Sequence, residues 1–295
     1  MTVMTFLGEK QIYLKEKVFS KTAYLQNGTP MRTVLLTSNS LRHKYISQCL
    51  ASGTDLQLII TEEKSATIEN TEELNETDAR FIKNHFKSRS ASEEKFFGNM
   101  GFPEDILQIK LQYKEVNTEL TLELLKENDP DIIVLFGTSI IKDFILKAFP
   151  NKVINLHLGL SPYYKGSATN LFPLLYGQPQ CLGATIHLAE KKVDSGKILH
   201  QLRPNLSKDD NLHDAGNKVI KRAGTQLPEI LKLYFRGKII PIKQKTSGKI
   251  YRNSDLTTDK LRNIYDNIEK GEFSKYLMDK EQIDKKYPII SNLKR

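Results

Sequence analysis

Cysteine is scarce in this chain, with Cys49 and Cys181 the two present in 295 residues and no CxxC spacing between them. That excludes a disulfide framework, argues against a thiolate zinc site, and fits a reducing compartment. No apolar run approaches the roughly 20 residues that cross a bilayer, so no membrane segment is expected. The opening Met-Thr-Val-Met-Thr-Phe lacks a basic region leading into an apolar block. No secretory signal is read there, and a cytoplasmic protein is expected. Long runs of one charge are also missing. Lys and Arg outnumber Asp and Glu by 44 to 35, a formal net charge of +9. The lysines are nevertheless interleaved with acids, as in Lys15-Glu16-Lys17 and Glu190-Lys191-Lys192-Val193-Asp194. A basic nucleic-acid-binding protein is the non-enzyme reading of that excess. A solvated lysine-rich surface explains it more simply, and anionic small-molecule partners explain it equally well. No run resembles a phosphate-binding stripe, so nucleic acid is not the expected partner.

What is present points to an α/β protein. Met31 to Asn39 reads as a buried strand ending in a polar turn, Leu41 to Leu50 as a helix, and Leu56 to Ile60 as a second strand. Strand–helix–strand order of this kind builds a parallel sheet with crossover helices. Residues 61 to 103 read as one or two surface helices inserted between strands. Thr118 caps a helix reaching Glu127. Asp131 to Phe136 is the most strand-like run, followed by a helix from Ile140 to Ala148 and a strand from Lys152 to Leu156. A helix over Ala168 to Tyr176, strands over Ala184 to Leu188 and Lys197 to Gln201, and an amphipathic helix over 211–235 complete the pattern. The expected fold class is a doubly wound, mostly parallel sheet of Rossmann-like type. The expected organisation is an extension over 1–30, a catalytic domain over 31–237 and a small appendage over 238–295 with two short helices around 258–279. Asn27-Gly28 would suit a short added hairpin, or Met31 marks the edge of the compact domain.

Chemistry concentrates between residues 155 and 196. Asn155 and His157 stand two apart in a strand-like run, so both side chains leave the same face. An amide donor and a titratable imidazole would then address one point, as a tetrahedral acyl-transfer intermediate requires. Asp194 can arrive from a later loop. Taken singly, an Asn-x-His at a strand end caps or packs, and an Asp-x-Gly is a turn. Pro162, Gly166, Gly183, Thr185, His187 and Gly196 stand in order between and after them. His187 reads as a site residue or as a buried, hydrogen-bonded histidine; His200 and His213 read as structural or exposed. His157, His187 and Asp194 are also a zinc-type donor set, but no HxxxH or HxH spacing supports it and no metal is expected.

This Asn-x-His, Pro/Gly loop, Gly-x-Thr-x-His and Asp-x-Gly series resembles the folate-dependent formyltransferase family. The likeness is close over about residues 131–203 and looser back to residue 31. It implies formyl transfer from 10-formyltetrahydrofolate to a primary amine. Asn155 would donate to the formyl oxygen, His157 would stabilise the oxyanion, and Asp194 would orient the imidazole and help carry protons. It also implies that backbone groups of two segments hold the pterin, here Thr138, Ser139, Ile140 and Ile141, with Glu190 and Val193 in the later loop. An ordinary strand-to-helix turn is the other reading of the first segment.

The acceptor is expected near Ser38, Asn39 and Arg42, where a helix start attracts phosphate, although a plain helix cap explains the turn as well. Lys165 stands where relatives often carry Arg. Gly159-Leu160-Ser161-Pro162 replaces the usual Ser-Leu-Leu-Pro. The wording His-Leu-Gly-Leu-Ser-Pro-Tyr-Tyr is nearer to proteins of surface-polysaccharide and modified-sugar pathways. The expected acceptor is therefore an amino sugar on a nucleotide carrier. Glycinamide ribonucleotide, methionyl-tRNA and water are the alternatives, and a homodimer is left open. A tail under 60 residues is small for the barrel that methionyl-tRNA formyltransferases append.

Overall fold

Strands rich in Ile, Leu and Val alternate with helices along most of the chain, and a computed structural model turns that pattern into one central sheet. It describes residues 4–7, 10–13, 30–64, 71–245 and 248–293. Strands β1 (Met4–Leu7) and β2 (Lys10–Tyr13) pair antiparallel ahead of the sheet; the Asn27-Gly28 turn lies outside the described residues. The domain then runs β3 (Arg32–Thr37), α1 (Leu41–Gly53), β4 (Asp55–Glu62), α2 (Glu76–Phe97) and β5 (Leu107–Leu111). Next come α3 (Glu119–Asn128), β6 (Ile132–Leu135), α4 (Asp143–Ala148), β7 (Val153–His157), β8 (Tyr164–Gly166) and α5 (Phe172–Leu175). β9 (Ala184–Leu188), β10 (Ile198–Leu202) and α6 (Leu212–Phe235) close it, followed by β11 (Lys249–Tyr251), α7 (Thr258–Glu269), α8 (Glu272–Met278) and α9 (Lys280–Lys286).

The seven-stranded sheet has the order β10-β9-β7-β6-β3-β4-β5, parallel from β7 to β5, with β9 antiparallel to both β7 and β10. Period-two alternation splits its side chains between two cores. Leu35, Ile132, Val134 and Phe136 face α1 and α6, whereas Val34, Leu36, Ile133 and Leu135 face α3 and α4. Helix α6 buries Ala215, Val219, Ile220, Ala223, Leu227, Ile230 and Leu231 on one stripe. Each large aliphatic side chain there contributes about 1.5–3 kcal/mol by leaving water. From β3 the chain moves one way to β4 and β5 and returns to build β6 and β7 on the other side. The order therefore reverses between β3 and β6, where open α/β sheets place their ligands, at the carboxyl ends of the strands.

The structure differs from the sequence expectations at four elements. The helix expected from Ile140 begins at Asp143, because Asn117 fixes residues 140–142 in an extended loop. Its Nδ2 donates to the Ile140 carbonyl at 2.9 Å and its Oδ1 accepts from the Lys142 N–H at 2.6 Å. The helix expected over 168–176 shrinks to Phe172–Leu175, since Ala168 takes a left-handed φ of 54°. Strand β5 was not expected at all. The tail carries α9 in addition to the two helices expected.

The tail packs on the domain. Phe273 is buried among Leu174, Leu182, Leu212, Leu261 and Ile264, Tyr251 stacks on Phe172 with ring centroids 4.4 Å apart, and Gln201 N–H donates to the Ile290 carbonyl at 2.6 Å. Among the described residues no helix is long and apolar enough to cross a membrane.

Candidate active site

Asn155 and His157 leave the same face of β7, and Asp194 reaches them from the loop between β9 and β10. The Asp194 backbone holds φ at +45°, a conformation Asp tolerates better than most residues and one that recurs at functional sites. Its carboxylate is nearly enclosed. Oδ1 accepts from Asn155 Nδ2 at 3.0 Å and Oδ2 from the Gly166 N–H at 2.7 Å. His157 Nδ1 stands 3.3 Å from Oδ2, and His187 Nε2 stands 3.4 Å from Oδ1. Burial pushes the Asp194 carboxyl up, but His157, His187 and the Gly166 N–H outweigh it and hold the group well below the usual carboxylate range.

Tautomers follow from the acceptors. His157 Nε2 meets the Tyr164 carbonyl at 2.9 Å, so Nε2 carries a proton. Nδ1 is then bare in the neutral ring and gains a proton only as imidazolium beside Asp194. Burial holds the His157 pKa down, and the Asp194 charge opposes that shift. His187 Nδ1 donates to the Leu188 carbonyl at 2.8 Å, leaving Nε2 to accept from Asn155 Nδ2 at 3.2 Å. Asn155 thus directs one N–H to His187 and one to Asp194. Asn155 is thus the donor that links His187 and Asp194, and an incoming carbonyl oxygen would compete with them for its N–H groups.

Strand β8 supplies two of those supports and is itself held by β11. Gly166, at φ +94°, lies so close to the β11 backbone that a Cβ would come within 2.1 Å of the Tyr251 carbonyl oxygen.

A cavity of about 740 Å³ opens on this set. Thr138, Ser139, Ile140, Ile141, Glu190 and Val193 all line it. The Thr138–Ile141 segment is rigidly placed: besides the Asn117 bonds, Ser139 N–H donates to Glu62 Oε2 at 2.6 Å. The backbone groups of Thr138 and Ile141 make no hydrogen bond among the described residues. With Leu135, Leu146 and Ala189 around them, they form an apolar slot edged by available backbone donors and acceptors.

The expected acceptor residues divide. Arg42 lines the cavity and pairs with Glu93. Ser38 is buried, Asn39 is exposed, and neither is in the wall. Lys165 is 1 % exposed, with Nζ 3.2 Å from Ser195 Oγ, and it too stands outside the wall. His43, one of the cations following Arg42 at the expected acceptor turn, lines it too, as do residues absent from the sequence reading: Lys64, His85 and Arg89 from the first half, and Asn253, Thr258 and Leu261 from the tail. His213 lines it as well, and both His213 and His85 hydrogen-bond Tyr265 Oη, at 3.1 and 3.0 Å. No local motif marks these positions. Among the described residues no His, Cys, Asp and Glu cluster is arranged to hold a metal ion.

The formyl transferase family model matches residues 31–231. A curated methionyl-tRNA formyltransferase from Caldanaerobacter subterraneus is 31% identical over 131 residues, which are 44% of this chain and 42% of that protein. The chain therefore matches less than half the length of that relative. Among solved structures, a sugar N-formyltransferase from a Shewanella species covers 81% of this chain and 87% of its own at TM-score 0.53 and 15% identity. A 4-N formyltransferase from Francisella tularensis covers 81% and 88% at TM-score 0.53 and 17% identity. The phosphoribosylglycinamide formyltransferase of Anaplasma phagocytophilum covers 75% and 98% at TM-score 0.51 and 16% identity. These likenesses show a common fold, and the family match covers over half the chain. The protein belongs to the formyl transferase family.

Proposed function

We propose that the protein transfers a formyl group from 10-formyltetrahydrofolate to a primary amine carried by a nucleotide-linked amino sugar. The observation that carries this reading is the convergence of Asn155, His157 and Asp194 at the cavity wall, over the carboxyl ends of the strands. The donor's ring would lie in the slot of Thr138 to Ile141, facing Glu190 and Val193, with its edge meeting the backbone groups of Thr138 and Ile141.

The neutral amine nitrogen attacks the formyl carbon, forming a C–N bond and placing charge on the formyl oxygen. Asn155 Nδ2 meets that oxyanion by giving up part of its bonding to His187 and Asp194, and His157 meets it through Nδ1–H when its ring is imidazolium. One such donor is worth about 3–4 kcal/mol of transition-state stabilisation in other acyl transfers. Asp194, held ionised, takes the proton the ammonium centre must lose, directly or through water. The carbon–N10 bond then breaks, N10 gains a proton, and formamide and tetrahydrofolate leave. His187 keeps Asn155 and Asp194 in register.

The amino-sugar acceptor is favoured by the His157-to-Tyr164 wording and by the cations along the cavity. Tetrahydrofolate release from 10-formyltetrahydrofolate, first without an acceptor and then with dTDP-, UDP- and GDP-linked amino sugars, tests the assignment. Release dependent on one amino sugar is expected. Equal release without any amine would make the protein a hydrolase, and silence with all sugars would move the acceptor to glycinamide ribonucleotide or methionyl-tRNA.

A further inference from the structure

The carboxylate of Asp194 is held by its neighbours at the site, but its backbone is held from the tail. Gln244 Nε2 donates to the Asp194 carbonyl oxygen at 2.8 Å and to the Gly196 carbonyl oxygen at 2.9 Å. Both N–H groups of one amide are thus spent on two carbonyls that flank Ser195. A flipped amide would set Oε1 against the same two acceptors, so the orientation is fixed. Oε1 itself is buried with no hydrogen-bond partner among the described residues. An unpaired buried acceptor costs stability, and the fork onto the loop is what sets the side chain there.

Gln244 is in turn anchored on both sides. Ile242 and Ile198 exchange both backbone hydrogen bonds, at 2.8 and 2.9 Å. At Gly248 a Cβ would come within 1.7 Å of the Pro162 carbonyl oxygen. From Lys249 to Tyr251, β11 then pairs parallel with β8, the strand whose Gly166 N–H holds Asp194 Oδ2. The tail therefore reaches Asp194 twice: at its main-chain carbonyl through Gln244, and at its carboxylate through β11 and Gly166. Gln244 and β11 both lie beyond residues 31–231, the part that matches the family model.

We propose that Gln244 is a positioning residue for formyl transfer, holding the Asp194 backbone so that its carboxylate faces Asn155, His157 and the attacking amine. The proposal rests on the formyl-transfer reading above. Asp194 keeps a φ of +45°, and such a backbone persists only where its surroundings over-determine it. With the fork removed, the loop relaxes towards a commoner φ and carries the carboxylate with it. A displacement of about 1 Å at a reacting group can cost roughly 10²-fold in rate.

The test compares wild type, Gln244→Leu, the exposed neighbour Lys243→Ala, Asp194→Asn and the double variant Gln244→Leu/Asp194→Asn in tetrahydrofolate release. Gln244→Leu should lower kcat about 10- to 100-fold while KM for donor and acceptor stays within about twofold. Lys243→Ala should match wild type. On the Asp194→Asn background, adding Gln244→Leu should change turnover by less than about twofold, because the residue acts through Asp194. Should Gln244→Leu not fold, Gln244→Asn, which withdraws the same amide by one methylene, carries the same expectations. Losses that multiply in the double variant, or a lower urea midpoint with kcat unchanged, would overturn the proposal and leave Gln244 a tie between tail and domain. Nitrogen-15 spectra of the histidine rings read the same effect without turnover. In Gln244→Leu the signals of His157 and His187, both within 3.4 Å of Asp194, should move while those of His43 and His85 stay. Unmoved His157 and His187 signals would overturn the proposal as well. If they move as expected while wild type releases no tetrahydrofolate with any acceptor, the positioning role stands and the formyl-transfer reading falls.

Discussion

Replacing Asp194 by Asn keeps the shape of the side chain, removes one charge, and changes what its two ends can accept. Both carboxylate oxygens now accept hydrogen bonds, one from Asn155 and one from the Gly166 N–H. An amide offers a single carbonyl oxygen, so its NH₂ must face one of those two donors. The exchange loses a charge-assisted bond, about 1.5–3 kcal/mol, and leaves a donor unpaired, about 1–3 kcal/mol more. Relief of the burial cost of a carboxylate offsets part of this. We expect a net loss of about 1–3 kcal/mol at pH 7 by urea unfolding. The pH dependence fixes the sign. The folded Asp194 pKa is depressed, so its stabilisation is complete above the unfolded value near ~3.9 and is lost as pH falls towards the folded value. The gap between wild type and variant should therefore narrow below about pH 4. Turnover should fall about 10²- to 10⁴-fold, the usual contribution of a positioned proton carrier. The assay is tetrahydrofolate formation by the purified, folded variant with its acceptor. Turnover within twofold of wild type would remove Asp194 from the proton path, and an unfolding gap that widens in acid would refute the electrostatic argument.

Gly166→Ala should cost about 1–3 kcal/mol, since the left-handed backbone and the Tyr251 carbonyl both reject a Cβ. It should also lower turnover by displacing the N–H that holds Asp194; an unchanged urea midpoint with full activity would contradict this. Phe273→Ala should cost about 3–5 kcal/mol if the tail and the sheet domain share one core. Two separate unfolding transitions, with the main one unmoved, would mean that they do not. Burial holds His85 at about 3 and His213 at about 4. The unfolded chain takes up both protons near pH 6.5 while the folded chain does not, so stability should fall by roughly 2–4 kcal/mol from pH 7 to 5. Equal urea midpoints at the two pH values would refute that.

Elements with strong local patterns were legible in the sequence. Asp131 to Phe136 is a continuous apolar run and becomes the central strand β6; Ala184 to Leu188 is recovered residue for residue as β9, and the 211–235 stripe as α6. Strand β5, Leu107-Gln108-Ile109-Lys110-Leu111, alternates correctly but is a short edge strand after a polar stretch, and it went unread. The late start of α4 depends on Asn117, 25 residues before Lys142, which no local pattern reveals. Asn155, His157 and Asp194 could be grouped because order and spacing accompany them. His43, Lys64 and Arg89 meet only through the crossovers that bring α1, β4 and α2 to one end of the sheet. Lys165 is legible only by its place beside a motif; in the fold its Nζ lies 3.2 Å from Ser195 Oγ.

The most direct measurement follows an isotope-labelled formyl group from 10-formyltetrahydrofolate by mass spectrometry, with wild-type protein and a nucleotide-linked amino sugar. The account predicts label in an amide on the sugar, one per tetrahydrofolate released, and almost none with Asp194→Asn or His157→Ala. Label recovered as free formate at the same rate with and without the amine would contradict it.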